Sequence, residues 1–246
     1  MPDRYGAAPL LLVVLTLASY GVGLAIGLPW LVPILNTAAS YPFMVAALRR
    51  GDLTGAMGRM LLWALTLAVC ATLLAWTMPV DTGRLFLRAR AYQFEMDAWV
   101  RTGIGAESTP SVFIPQHLQH AAAFSALAVV SGGMLAMPFG ALLMNYMGYY
   151  VGTLPHLAGP TGAAHAWTLL VLGWHPWSVI RVASFVVLGV ALSVPLAIRG
   201  PRPTQGLDWP ALRPWLAGAL IGLLLDLVVK GLLAPWWQRL LLGMLT

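Results

Sequence analysis

Charge is scarce in this chain. Of 246 residues only 9% are charged, 8 acidic against 14 basic, where a soluble globular domain carries about 25%. The shortage excludes a soluble enzyme, a disordered chain and a nucleic-acid binder. The excess of 14 − 8 = +6 is spread too thinly for the dense basic stripe that phosphate backbones need. Cysteine is scarcer still: Cys70 stands alone inside an apolar run, which excludes an intramolecular disulfide. Catalytic signatures are missing too. There is no HExxH, cysteine cluster, Walker loop or GxSxG elbow, and no Ser/Lys or paired-Asp arrangement stands out, so the chain reads as a non-enzyme. The first apolar run lacks a convincing small-residue cleavage site and reads as a retained helix, not a signal peptide.

What is abundant is apolar sequence, 59% of the chain. A spanning helix needs about 20 mostly apolar residues. Segments 8–27, 30–48, 60–79, 120–145, 164–198 (broken at Pro176) and 214–233 meet that requirement, so the expected fold is an all-α polytopic bundle of about six membrane segments in a single transmembrane domain. Segment 30–48 holds Pro33, Pro42 and Asn36. Prolines free backbone carbonyls that lipid cannot satisfy, which makes this piece a kinked span or a re-entrant one. Pro138 is an expected kink in the long apolar stretch that begins at 120. Pro176 splits 164–198 into a short piece and a full span. The paired Trp236 and Trp237 near the end are expected to anchor at the interface.

Residues 80–119 form a polar insertion. Within it Leu85, Ala89, Tyr92, Met96 and Trp99 recur at spacings of 4, 3, 4 and 3, the mark of an amphipathic surface helix. Such a helix lies along the bilayer surface or packs on the rim of its own bundle. The links around 49–59 and 199–213 carry Arg49, Arg50, Arg59, Arg199, Arg202 and Arg213. The insertion carries Arg84, Arg88, Arg90 and Arg101 together with four acids. This asymmetry places the links inside and the insertion outside.

Small residues repeat at spacing four. Gly23 and Gly27 continue a row from Ser19 in the first span. Gly132 and Gly140 lie on one face with Ala128 and Ala136, and Gly218 and Gly222 share a face of the last span. Small residues let helix backbones approach closely, which holds helices together in lipid; any surplus would form an oligomer or partner surface. The last of these rows continues into Asp226 and Lys230, so both charges lie on the packing stripe. A charge at mid-membrane costs about 2.5–3.5 kcal/mol even on the lenient insertion scale. Three arrangements answer that cost: an intrahelical Asp226–Lys230 pair with Lys230 snorkelling outward, an ion or proton relay, or an interhelical pairing of Asp226 with Arg181. His175 before Pro176 sits at a helix break, where its imidazole caps orphan carbonyls or faces a water-filled cavity. Asn145 lies near the end of a span, amid interfacial belt chemistry. Among the five histidines, His117 and His120 are three apart at a helix start and with Glu107 are the candidates for a metal site. No helix-internal His pair of the diheme type occurs.

From residue 120 onward three stretches resemble the stage II sporulation protein M family of bacterial integral membrane proteins. SALAVVSGGMLAMPFGALLMNYMGYYVG is similar to that family's glycine-dotted span ending in Asn-Gly, with Asn145 at the Asn and Tyr146 in place of the Gly. GWHPWSVIRVASFVVLGVALSVPLA has His175 where the family begins a span with His-Gly, here with Pro176 as second residue and without the acid that follows. LRPWLAGALIGLLLDLVVKGLLAP resembles the final span, with Asp226 before Pro235. The resemblance implies a non-enzymatic partner in a membrane assembly.

Together these readings give a multi-pass protein of a bacterial inner membrane, without a cofactor. It is expected to act as a structural or accessory subunit that meets the lipid bilayer and other membrane subunits, or further copies of itself, through its small-residue faces. One alternative is a permease for a small solute or ion using Asp226, Lys230 and Arg181. Another is a haem-, pigment- or metal-binding membrane subunit.

Overall fold

The computed structural model describes residues 4–158, 162–199 and 208–245, and the side chains from residue 7 onward within them, those of 162–164 excepted. Ten helices and no strands account for the described residues. Five helices are long and apolar enough to cross a membrane: α1 (Arg4–Ile26), α2 (Leu31–Arg49), α3 (Leu53–Thr77), α9 (Pro176–Ala197) and α10 (Trp209–Leu245). The chain is thus an all-α, multi-pass membrane bundle. Between α3 and α9 lie α4 (Pro79–Leu85), α5 (Ala89–Thr102), α6 (Pro110–Ser131), α7 (Ala136–Leu157) and α8 (Gly162–Gly173).

Segment 30–48, expected as a kinked or a re-entrant span, is one continuous helix with Pro42 in its interior. Pro33 is its third residue, where a backbone N–H would lack an intrahelical acceptor anyway. Segment 120–145 departs from expectation. It does not run through: α6 ends at Ser131, and α7 starts at Ala136 and returns. The break falls at Gly132 and Gly133, both with positive φ (59° and 89°), a conformation that favours glycine, and not at Pro138. Residues 164–198 do divide at Pro176, and α8, with 12 residues, rises only about 18 Å, short of a 30 Å hydrocarbon core. The last helix outruns its expected bounds of 214–233. Its 37 residues take in Pro214 and Pro235 and extend about 55 Å.

The amphipathic helix of the insertion is α5, and it packs on the bundle. Leu85 falls outside it, because the chain turns through a left-handed Arg88 (φ 62°) before α5 begins. Its apolar residues Met96, Trp99 and Val100 join Tyr150, Leu169, Trp177 and Leu241 in one buried cluster, while Phe94 faces outward. Trp237 donates from its indole nitrogen to the Leu172 carbonyl at 2.8 Å, so one of the two expected anchors also ties α10 to α8; Trp236 is exposed.

The bundle is knitted by α3 against α7 and by the α9–α10 pair. Glycine makes the first contact possible: a Cβ at Gly148 would strike Ala71 on α3, and one at Gly152 would strike the Thr72 carbonyl and Ala75. The other glycine rows are put to similar use. Gly23 abuts Val32, Gly132 abuts Leu196, Gly140 meets Phe124, and Gly222 abuts Ser184, whereas Gly27 and Gly218 have open space where a Cβ would go.

Candidate functional site

Asp226 and Lys230 stand one turn apart on α10, both almost wholly buried (0% and 3% exposed). They are not paired with each other. Arg181, five residues into α9, meets Asp226 in fork-to-fork fashion, Nε to Oδ2 at 3.0 Å and Nη2 to Oδ1 at 3.1 Å. This is the interhelical arrangement, and its bidentate geometry is what a guanidinium supplies and an ammonium does not. His117, on α6, brings its Nε2 against the same carboxylate. One acid therefore joins three helices.

Lys230 does not snorkel outward. Its ammonium lies 3.1 Å from Oε1 of Glu107 and 4.7 Å from the centre of the Phe113 ring. Glu107 reaches this position because the α5–α6 connection folds back over the bundle, stopped by Gly103 (φ 72°) at the end of α5 and resumed at Pro110. Its other oxygen accepts from the Trp177 indole nitrogen at 2.9 Å. Burial alone would raise this carboxyl. Lys230 first and then Arg181 outweigh it, holding the group below its ordinary value of 4.5. The result is two ion pairs sharing one stripe of α10. Left single, each of these buried charges would be strongly unfavourable.

Beside the pairs lies a cavity of about 400 Å³, within the range of pockets that hold drug-sized ligands. Arg181, Lys230, Glu107 and His117 line one end, and Gly133, Met44 and Ser193 the other. Arg181 and Ser193 are twelve residues apart on α9, so the slot extends for about 18 Å, more than half the thickness of a hydrocarbon core. Its walls are mostly apolar, with Met60, Trp63, Phe124, Met137, Met144 and Val190 among them. One helix break, α6–α7 at Gly133, marks the far end, and the α8–α9 break lies behind the charged end, outside the lining.

The other candidates fall around this site or away from it. His175 holds the N-cap position of α9, but its imidazole does neither of the things expected of it, capping a carbonyl or lining the slot; it is 2% exposed and stacks on Trp177 behind the cluster, ring centres 4.6 Å apart. His120 lines the slot and packs near Phe139. Glu107, His117 and His120 do not make a metal site: the first is engaged by Lys230, the second by Asp226. Among the described residues, no three His, Cys, Asp or Glu side chains converge. Asn145, expected near a span end among interfacial groups, is instead buried midway along α7 in a separate uncharged cluster, accepting from the Tyr20 hydroxyl.

Trp177 and the methionines of the slot escape sequence reasoning. Trp177 had a weak signal, standing next to a helix-starting proline two residues from His175. The methionines had none, since an apolar residue inside a span reads the same whether it faces lipid, a neighbour or a void. No protein-family model, curated protein or solved structure matches the chain.

Proposed function

We propose that the chain is a permease of a bacterial inner membrane that carries a small solute along the slot between α6, α7 and α9. One observation carries this reading: two buried ion pairs, Arg181–Asp226 and Lys230–Glu107, sit at the mouth of a cavity that continues about 18 Å toward the opposite end of the bundle. Intramembrane charges that border a cavity are costly to keep, and in transporters they accompany binding sites at broken helices. The arginine-rich links of 49–59 and 199–213 support an orientation with those links in the cytoplasm.

An accessory subunit, the role implied by the resemblance to the stage II sporulation protein M family, draws its support from the glycine faces. Gly23, Gly132, Gly140 and Gly222 are occupied by neighbours in the same chain, and only Gly27 and Gly218 of these rows stay open for a partner. That leaves the charged slot as the stronger support.

The test is reconstitution in proteoliposomes on a solid-supported membrane, challenged with acetate, hexyl phosphate and choline. Transport of at least one solute, abolished by Asp226→Asn with helicity retained, is the expected result. Silence to all three, or equal currents in the variant, overturns the reading.

A further inference from the structure

We propose that the slot takes a single-chain amphiphile with an anionic head, the head meeting Arg181 and Lys230 and the chain lying toward Gly133. This deepens the permease reading and rests on it for the claim that the ligand is moved.

Three observations converge. The slot is graded: its charged side chains gather at the α10 end, and its far end is walled by Met44, Met137 and Val190, with Ser193 hydrogen-bonded to its own helix at Gly189. An object that fits both ends must be polar at one and apolar at the other. The second observation concerns sign. Asp226 is fully buried behind Arg181 and does not line the slot, whereas Arg88, Arg181 and Lys230 do, together with Glu95 and Glu107. The charged end thus shows the ligand three cations and two carboxylates, an excess of one positive charge. Arg181 is held by Asp226 through Nε and Nη2, which leaves Nη1 for the cavity, and its side chain keeps 18% exposure. The third is size and softness. About 400 Å³ along 18 Å accommodates one chain and not two, and methionine walls adapt to a flexible chain better than branched side chains do.

The experiment uses the full chain in nanodiscs and tritiated dodecyl phosphate, read by scintillation proximity. Unlabelled dodecanoate, whose head is a carboxylate, competes. Dodecyl maltoside, with the same chain and a neutral head, and inorganic phosphate, with no chain, do so at least about tenfold more weakly. The paired change Glu107→Gln with Lys230→Gln, which removes one cation without stranding a carboxylate, weakens dodecyl phosphate about tenfold.

Val190→Trp fills the far end. It weakens dodecyl phosphate and leaves hexyl phosphate competing as before, a change in chain-length preference that a general loss of packing does not produce. If that variant fails to assemble, Met137→Trp carries the same measurement. Equal competition by the neutral amphiphile or by inorganic phosphate overturns the proposal. So does an unchanged chain-length profile, or no binding at all. Dodecyl phosphate that binds with this profile but never crosses a proteoliposome membrane sinks the permease reading alone. Acetate that crosses while dodecyl phosphate neither binds nor crosses sinks the ligand class alone.

Discussion

Two polar clusters are buried in this bundle, and they are built from different materials. Between α1, α2 and α7 the contacts are neutral: Ser19 donates to the side-chain oxygen of Asn36, and Tyr20 to that of Asn145. Between α6, α9, α10 and the α5–α6 connection they are charged: Asp226 with Arg181 and His117, and Glu107 with Lys230. Neutral hydrogen bonds suffice to align helices in lipid, and each contributes little. Ion pairs are a costly way to obtain the same alignment, since an apolar replacement of the whole set is often neutral or better. Their presence at one end of a cavity, and not in the seam where α1 and α2 meet α7, is the reason for reading that end as the working part.

The comparison predicts its largest effect at Asp226. Asp226→Ala leaves the Arg181 guanidinium buried without its partner, a situation that costs about 3–5 kcal/mol. Unfolding of the purified protein by increasing SDS fraction, followed by helical signal, measures this. A loss no larger than that of a neutral-cluster variant would erase the distinction between the two regions.

The acid limb of stability sharpens the same contrast. Glu107 has its folded-state carboxyl held below 4.5 by Lys230 and Arg181, against the pull of burial. Its contribution is therefore complete above 4.5 and fades as pH falls through the lower folded value, when protonation removes the partner of Lys230. Wild-type protein loses stability on that descent. Glu107→Gln, already lacking the charge, starts lower and shows a flatter acid limb. Two parallel limbs would mean that another group governs the acid response.

The sequence announced the charged stripe and one of its two partners. Asp226 and Lys230 fall four and eight residues beyond Gly222, on the stripe by which that glycine packs against Ser184. Arg181 was reachable as a partner because it too lies in a span and its charge needs an answer. Glu107 was not: nothing in the periodicity of 80–119 says that the chain from Gly103 to Pro110 folds back over the bundle, because a turn's direction is set by tertiary packing.

The α6–α7 break shows the same limit from the other side. Ser131-Gly132-Gly133 carries a turn signal, yet it interrupts an apolar stretch whose small residues also fit helix packing, and the two uses of glycine cannot be told apart by spacing. Only the backbone distinguishes them, by placing both glycines at positive φ.

The smallest effect belongs to the neutral cluster, and it is the sharpest measure of what separates the two. Tyr20→Phe keeps the ring against Phe86, 6.0 Å between centres, and deletes only the hydroxyl that Asn145 accepts. Asn145→Ala deletes the acceptor. A double-mutant cycle on these two isolates one hydrogen bond in a membrane interior, where such couplings average about 0.6 kcal/mol and reach about 1.7. The same cycle on Arg181→Ala and Asp226→Ala includes a buried charge relieved when both partners go, so its coupling exceeds that of the neutral pair. Equal couplings would show that the charged end is held together no differently from the rest of the bundle, and the argument for a working site there would then have to stand on the cavity alone.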